Sequence, residues 1–183
     1  MDAKYKIKKD ITSSTNSQGK SIYILEKPHT DKIGFTYYNS NDLFNDLNRE
    51  FQIGKLLERL GISTPFYYEI EYVKDVENND LILMVITQYI VNAITINIIF
   101  KKEKINFSSH KFDLNEFIIE NENLNEINDN IIKNIILIEL NKLLELLFNS
   151  NKKNLISSII DLQGLYSKEK NQFYFIDFEC WKL

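Results

Sequence analysis

Two aspartates near the end of this chain each close an apolar run: Asp161 follows Ile159-Ile160, and Asp177 follows Phe173 to Ile176. Carboxylates so placed sit at strand ends, and Gln163 beside the first adds an amide oxygen. Strand ends brought together by one hairpin make an oxygen-rich cluster that suits Mg²⁺ rather than zinc, because hard cations take oxygen ligands. Magnesium in turn points to a phosphate substrate. The plainer alternative is that both aspartates cap turns, as Asp commonly does. A third carboxylate, Glu50, lies within about 20° of the middle of an apolar stripe formed by Leu43, Leu47, Gly54 and Leu57 at helical spacing. A carboxylate buried there costs several kcal/mol unless it is paired, so it asks for a cation on a neighbouring element. The nearest candidates are Lys27 and Lys32. The plainer alternative for Glu50 is a place at the stripe's edge, where it reaches solvent or bonds to backbone.

These residues need elements to hold them. Tyr5 to Ile11, Ser21 to Lys27 and Lys32 to Tyr38 read as strands separated by turn-forming residues, with a small-residue loop, Thr12 to Gly19, between the first two. Asn39, Ser40 and Asn41 offer cap chemistry to a helix over 42–60, and Gly61 stands ready to stop it. Phe66 to Val73 and Leu81 to Ile90 have strand composition around the polar connection Asp75 to Asp80, and Ile94 to Lys101 fits a further strand. A short helix is expected near Leu114 to Ile119. Asp129 to Asn149 shows long helical periodicity, with Ile132, Ile135, Ile136, Leu140, Leu143, Leu144 and Leu147 on one broad apolar face. The chain closes with a strand over Leu155 to Ile160, a turn at Gln163-Gly164, a hairpin tip at Ser167 to Asn171 and a strand at Gln172 to Ile176. The absence of repeats and of a Pro/Gly-rich linker favours one domain with two lobes over two independent domains.

The order of these elements is similar to that of the protein-kinase superfamily: a strand with Lys27, a helix with Glu50, two strands ending near Gln88 to Ile90, a long helix, then Asp161 and the tripeptide Asp177-Phe178-Glu179. EFQIGKLLERLGISTP, from Glu50 to Pro65, resembles the helix and following turn of small atypical and RIO-type kinases. Leu83 to Ile90 resembles the strand leading into their hinge, and Asp161-Leu162-Gln163-Gly164 is similar to the DLQG of alpha-kinases. The resemblance implies an α+β, two-lobed minimal kinase-like fold. Residues 1–90 would form an N-lobe of antiparallel sheet with one helix, and residues 91–183 a reduced helical C-lobe with a catalytic hairpin. It also implies ATP and Mg²⁺ as cofactors. Lys27 would hold the α/β-phosphates and Glu50 would orient it. Gly19 would offer backbone to phosphate, while Gln88 and Ile90 would meet the nucleotide at the hinge. Asp161 would position the acceptor hydroxyl, and Asp177, with Gln163, would ligate the metal.

The sequence also departs from the family. Ile159 and Ile160 stand where an HRD motif has His and Arg, Tyr166 stands where the second metal-binding Asn belongs, and the loop before the second strand holds Gly19 alone. With Leu183 six residues after Asp177, the activation segment that platforms a peptide substrate is expected to be missing. Two alternatives to an active phosphotransferase therefore stay open: a pseudokinase that binds nucleotide or a protein partner without turnover, and an α+β interaction module with no catalysis.

The 183 residues, 44% of them apolar, are enough for a buried core. The net charge of −4 with interspersed signs gives no basic field of the kind nucleic-acid binders need, so a nucleotide and a protein substrate or partner are expected instead. The single Cys180 excludes an internal disulfide and suits a reducing cytosol. Met1 to Asp10 lacks the apolar core of a signal peptide, so a cytoplasmic protein, or one delivered to a host cytosol by a non-classical route, is expected. Leu81 to Phe100 is too often interrupted by polar residues for a membrane span.

Overall fold

The computed structural model describes residues 3–12, 19–101, 112–121, 125–149, 161–178 and 181. They form an α+β chain of two sheets and two helices, in the order β1 (Tyr5–Asp10), β2 (Lys20–Leu25), β3 (Lys32–Tyr37), α1 (Leu43–Arg59), β4 (Tyr67–Lys74), β5 (Leu81–Gln88), β6 (Ala93–Phe100), β7 (Phe117–Asn121), α2 (Asn130–Asn149), β8 (Asp161–Ser167) and β9 (Gln172–Ile176). The chain divides into two compact units: Met1–Lys55 with Pro65–Ile90, and Leu56–Thr64 with Val91–Leu183.

In the first unit the strands close a barrel in the order β1-β2-β3-β5-β4. All neighbours are antiparallel except β1 and β4, whose short parallel pairing sets Tyr5 against Val73 and Lys6 against Lys74. Closure removes the exposed edges that an open five-stranded sheet would present. Tyr5, Leu25, Val73, Met84 and Ile86 fill the core. At Gly34 a Cβ would come within 2.6 Å of Met84 Sδ, so a side chain there would displace the methionine. Helix α1 begins beside Asp42, whose carboxylate accepts from Asn45 N–H. Gly54 lets the helix approach β4, since a Cβ there would meet the Tyr67 ring at 2.5 Å.

Two pairs of residues make a thin parallel seam, and Glu69 reinforces it by accepting from both Lys4 Nζ and the Tyr5 hydroxyl at 2.5 Å. Partial burial works to raise the Glu69 carboxyl, but the hydrogen bonds from Lys4 and Tyr5 and the charges of Lys4 and Lys32 outweigh it and hold the group below its ordinary value of 4.5. Burial and the same carboxylate push the Tyr5 phenol up.

In the second unit the sheet order is β7-β6-β8-β9, antiparallel throughout. Alternation along β6 buries Ile96, Ile98 and Phe100, and these meet a core that includes Phe117, Ile119, Leu162, Phe173 and Phe175. Helix α2 is capped by Asp129, which accepts from Ile131 N–H at 2.8 Å, and it buries Ile132, Ile136, Leu140 and Leu143. Asn141 on α2 bonds both the N–H and the carbonyl of Phe112.

Two expectations are corrected here. The segment near Leu114 to Ile119 is not helical: Asp113 to Glu116 turns, and Phe117 and Ile119 then alternate into the core as strand β7. Gln163-Gly164 is not a turn but lies within β8, where Gly164 pairs with Ile96 on one side and Phe175 on the other. The glycine is there because the Phe173 ring occupies the side-chain space: a Cβ on Gly164 would sit 1.9 Å from that ring. The strand expected over Leu155 to Ile160 lies outside the described residues.

Two outcomes follow from this packing. Gly164→Ala should lower stability by about 3 kcal/mol or more, measured by urea unfolding, because a buried ring must be displaced. Glu69 has a folded-state pKa below its unfolded value, so its contribution is present at neutral pH and is lost as pH falls below about 4.5. The unfolding midpoints of wild type and Glu69→Gln should therefore differ at pH 7 and converge on acidification. Parallel curves across that range would remove Glu69 from the seam's energetics.

Candidate functional site

Chemistry-bearing groups gather at two places, one in each unit. In the first unit, Glu50 is 1% exposed on α1 between the buried Leu47 and Ile53. The β2–β3 register sets Lys20 directly opposite Tyr37, and residues directly opposite in an antiparallel pair project to the same side. Glu50 meets both: Lys20 Nζ lies 3.1 Å from Oε1, and the Tyr37 hydroxyl donates to Oε2. Each carboxylate oxygen thus has its own donor, one charged and one neutral. The Lys20 ammonium also lies 4.7 Å from the Phe35 ring centroid and 5.2 Å from that of Tyr37, within the range of cation–π attraction.

The cation that answers Glu50 is therefore Lys20, and neither of the candidates expected from the sequence stands there. Lys27 is exposed in the turn after β2, at the far end of that strand from Lys20. Strand β2 ends at Leu25, and His29 N–H closes a turn on the Glu26 carbonyl. Lys32 opens β3, with its ammonium 4.7 Å from the Tyr68 ring centroid and 4.0 Å from Asp31. A signal for Lys20 did exist in the sequence. Treating 26–31 as the connection of a hairpin, with Ile24 opposite Ile33, brings Lys20 opposite Tyr37.

Gly19 is buried with a φ of +75°, a conformation that favours glycine. Its carbonyl accepts from Tyr38 N–H at 2.8 Å, extending the β2–β3 ladder by one bond beyond Lys20. Gln88 ends β5; its backbone N–H donates to the Phe66 carbonyl, and its side-chain oxygen accepts from Phe66 N–H. Ile90, two residues on, is buried.

In the second unit, β8 and β9 are antiparallel, so the start of one lies beside the end of the other. Asp161 is the first residue of β8, placed here by its backbone and paired with Ile99. Gln163 follows two residues later and pairs with Asn97 on β6 and Ile176 on β9. Asp177 comes directly after Ile176, so these three polar residues share one end of the hairpin. Asp177 adopts a φ of +64°, the left-handed region that few residues other than Gly, Asn and Asp enter. The next residue explains how that turn is held. Phe178 is fully buried, packs edge-on against Trp181 with centroids 4.9 Å apart, and its carbonyl accepts from Trp181 N–H. Glu179 lies outside the described residues.

Two further positions bear on this end of the hairpin. Asn97, a half-buried amide across from Gln163, escaped the sequence reading because β6 presents itself simply as an apolar strand. Tyr166 is buried and its hydroxyl donates to Asn171 at the hairpin tip, 2.7 Å away. Among the described residues no group of three or more His, Cys, Asp or Glu could hold a metal ion. The side-chain donors that Asp177 and the Gln163 amide offer at this end are oxygen atoms, the type that hard cations take.

Fold and site together define an α+β chain with a buried carboxylate–ammonium pair in one unit and a polar strand end in the other. The chain matches no protein-family model and no curated protein. Among the described residues no helix is long and apolar enough to cross a membrane.

The two lysines separate cleanly by mutation. Lys20→Met should destabilise the chain by about 3–5 kcal/mol, since it removes the charged partner of a buried carboxylate. Lys27→Met should stay within about 0.5 kcal/mol of wild type, as an exposed substitution. Equal effects in urea unfolding would contradict the pairing.

Proposed function

We propose that this chain is a minimal protein-kinase-like phosphotransferase that binds Mg-ATP and transfers the γ-phosphate to a hydroxyl acceptor. The observation that carries the reading is the buried Lys20–Glu50 pair on a five-stranded barrel whose helix follows the third strand. A lysine held by a helix glutamate is what phosphoryl transfer needs to fix the nucleotide's phosphates, since catalysis in this class is positioning plus charge neutralisation. The kinase pattern puts that lysine on the third strand; here Lys20 is on the second, opposite the third-strand Tyr37. The geometry that matters is the ammonium's place beside Glu50, and Lys20 supplies it, so we assign to Lys20 the role that the resemblance gave to Lys27.

Support from the second unit is the shared hairpin end of Asp161, Gln163 and Asp177, with Asp177 in a backbone conformation that functional sites often use. In this reading Asp177 and the Gln163 oxygen hold the magnesium, which when bound neutralises phosphate charge. Asp161 accepts the proton of the acceptor hydroxyl as its oxygen bonds to the γ-phosphorus and the bond to the β-phosphate oxygen breaks, releasing ADP. Gln88 and Ile90 contact the nucleotide, and a protein supplies the acceptor.

One observation favours a second reading, a pseudokinase that holds nucleotide or a protein partner without turnover. Tyr166 stands where the second metal-binding Asn belongs, and its hydroxyl is committed to Asn171.

Thermal unfolding with and without Mg-ATP tests nucleotide binding. Ligand at 100 times its Kd should stabilise the chain by about 2.7 kcal/mol, and no shift at millimolar Mg-ATP would refute both readings. Labelled phosphate transfer to the chain itself or to a lysate should fall at least about 100-fold in Asp177→Ala. Binding without any transfer by wild type would select the pseudokinase.

A further inference from the structure

We infer that Asn97 is a further ligand of the magnesium, beside Gln163; the inference rests on the Mg-ATP reading above. Asn97 on β6 pairs with Glu120 on β7 and with Gln163 on β8, and Gln163 pairs with Ile176 on β9, the residue before Asp177. Residues directly opposite one another project to the same face, so one polar rung crosses the sheet. Asparagine is depleted in strands, and the flanking positions on this face of β6, β7 and β8 include Ile99, Ile118 and Leu165. Asn97 and Gln163 are both half-buried, and among the described residues no hydrogen bond or ion pair engages either side chain. An amide partly withdrawn from water without a partner is costly, so two of them side by side favour a ligand that takes both.

Amide oxygens are ligands that hard cations accept. Neighbouring strands lie about 4.8 Å apart. Two amides on adjacent strands can therefore bring their oxygens to the separation of roughly 3 Å that adjacent ligands of one magnesium keep at Mg–O distances of about 2.1 Å. Glu120 stands on the other side of Asn97, about 10 Å from Gln163 across two strand spacings, and so lies outside that coordination sphere. Its carboxylate, when ionised, only accepts; it favours the Asn97 N–H₂ toward β7 and leaves the amide oxygen toward Gln163. The cost of losing Asn97 falls on ATP that carries the metal and not on ATP without it.

That difference is the test. Affinity for ATP is measured by calorimetry in Mg²⁺ and in EDTA for wild type, Asn97→Val and Asn134→Ala; Asn134 is exposed on α2. Asn97→Val, which places a good strand former on β6, should weaken binding in Mg²⁺ about tenfold and leave binding in EDTA within about twofold. Asn134→Ala should change neither. Equal weakening under both conditions would reduce Asn97 to a structural role and overturn the inference, as would unchanged affinity in Mg²⁺ or wild-type binding that Mg²⁺ does not improve. A second variant reads the metal directly and serves alone if Asn97→Val does not fold. Asn97→Asp keeps the oxygen and adds a charge, so it should bind Mn²⁺ without nucleotide about tenfold more tightly than wild type, followed by the electron paramagnetic resonance of the free ion. Affinity for Mn²⁺ no higher than that of wild type would overturn the inference. Wild type that binds no ATP in Mg²⁺ would sink the nucleotide reading itself, whereas magnesium-dependent binding with no effect at Asn97 sinks this inference alone.

Discussion

Glu50 sets the terms for its unit. Its carboxylate is almost wholly removed from water on a helix whose neighbouring positions are apolar, and burial of such a group costs several kcal/mol unless donors replace the lost solvent. Lys20 and Tyr37 are two such donors, and both come from one rung of one hairpin. For Lys20 and Tyr37 to face the same carboxylate, β2 and β3 must pair without a bulge, as they do from Lys20–Tyr37 to Ile24–Ile33. A slip of one residue in either strand would turn its side chain to the opposite face from the other's. The polar cluster thus ties the β2–β3 register to the place of Glu50 on α1.

The polar end of the β8–β9 hairpin is built by a different device. No buried ion pair is described there; instead, packing fixes the backbone. The Phe173 ring lying over Gly164 draws the two strands into close contact. At the far end of β9, Phe178 is buried against Trp181, and the chain between strand and aromatic pair must turn within one residue. Asp177 is that residue, and its left-handed φ follows from the need to place Phe178 inward. The aspartate's position is therefore held by its apolar successor, which makes the Asp-Phe pairing more informative than either residue alone.

Much of the element order was legible because the signals were local. Strand composition marked β4, β5 and β6, and helical spacing with cap residues marked α1 to within a residue at each end. The inward direction of Glu50 also followed from spacing on that helix. Its partner did not, because a cross-strand pairing depends on register, and Lys20 sits at the very edge of a strand whose sequence reads most strongly from Ser21 onward. The glycine of Asp161-Leu162-Gln163-Gly164 misled for a related reason. A glycine in sequence signals a turn, yet here its missing side chain makes room for a ring from the neighbouring strand, and no local pattern distinguishes those uses. At Leu114 to Ile119 two periods competed over a short apolar run, and the alternation of Phe117 and Ile119 prevailed once a sheet edge was available on β6.

The placement of Lys20 bears on how far a motif can be trusted as evidence of function. A phosphate-binding lysine is defined by where its ammonium rests and by what holds it there, and a long flexible side chain can reach one point from either of two adjacent strands. With the lysine on the second strand, the facing position on the third must hold a residue that tolerates a neighbouring carboxylate. An aliphatic residue there would remove the Tyr37 hydrogen bond to Oε2 of Glu50, and a second cation would repel Lys20. A phenol avoids both problems, since it is neutral, long enough to reach the carboxylate, and flat enough to lie beside the ammonium. The lysine and the tyrosine therefore act together on one carboxylate, the first bringing charge and the second a neutral hydrogen-bond donor from the neighbouring strand.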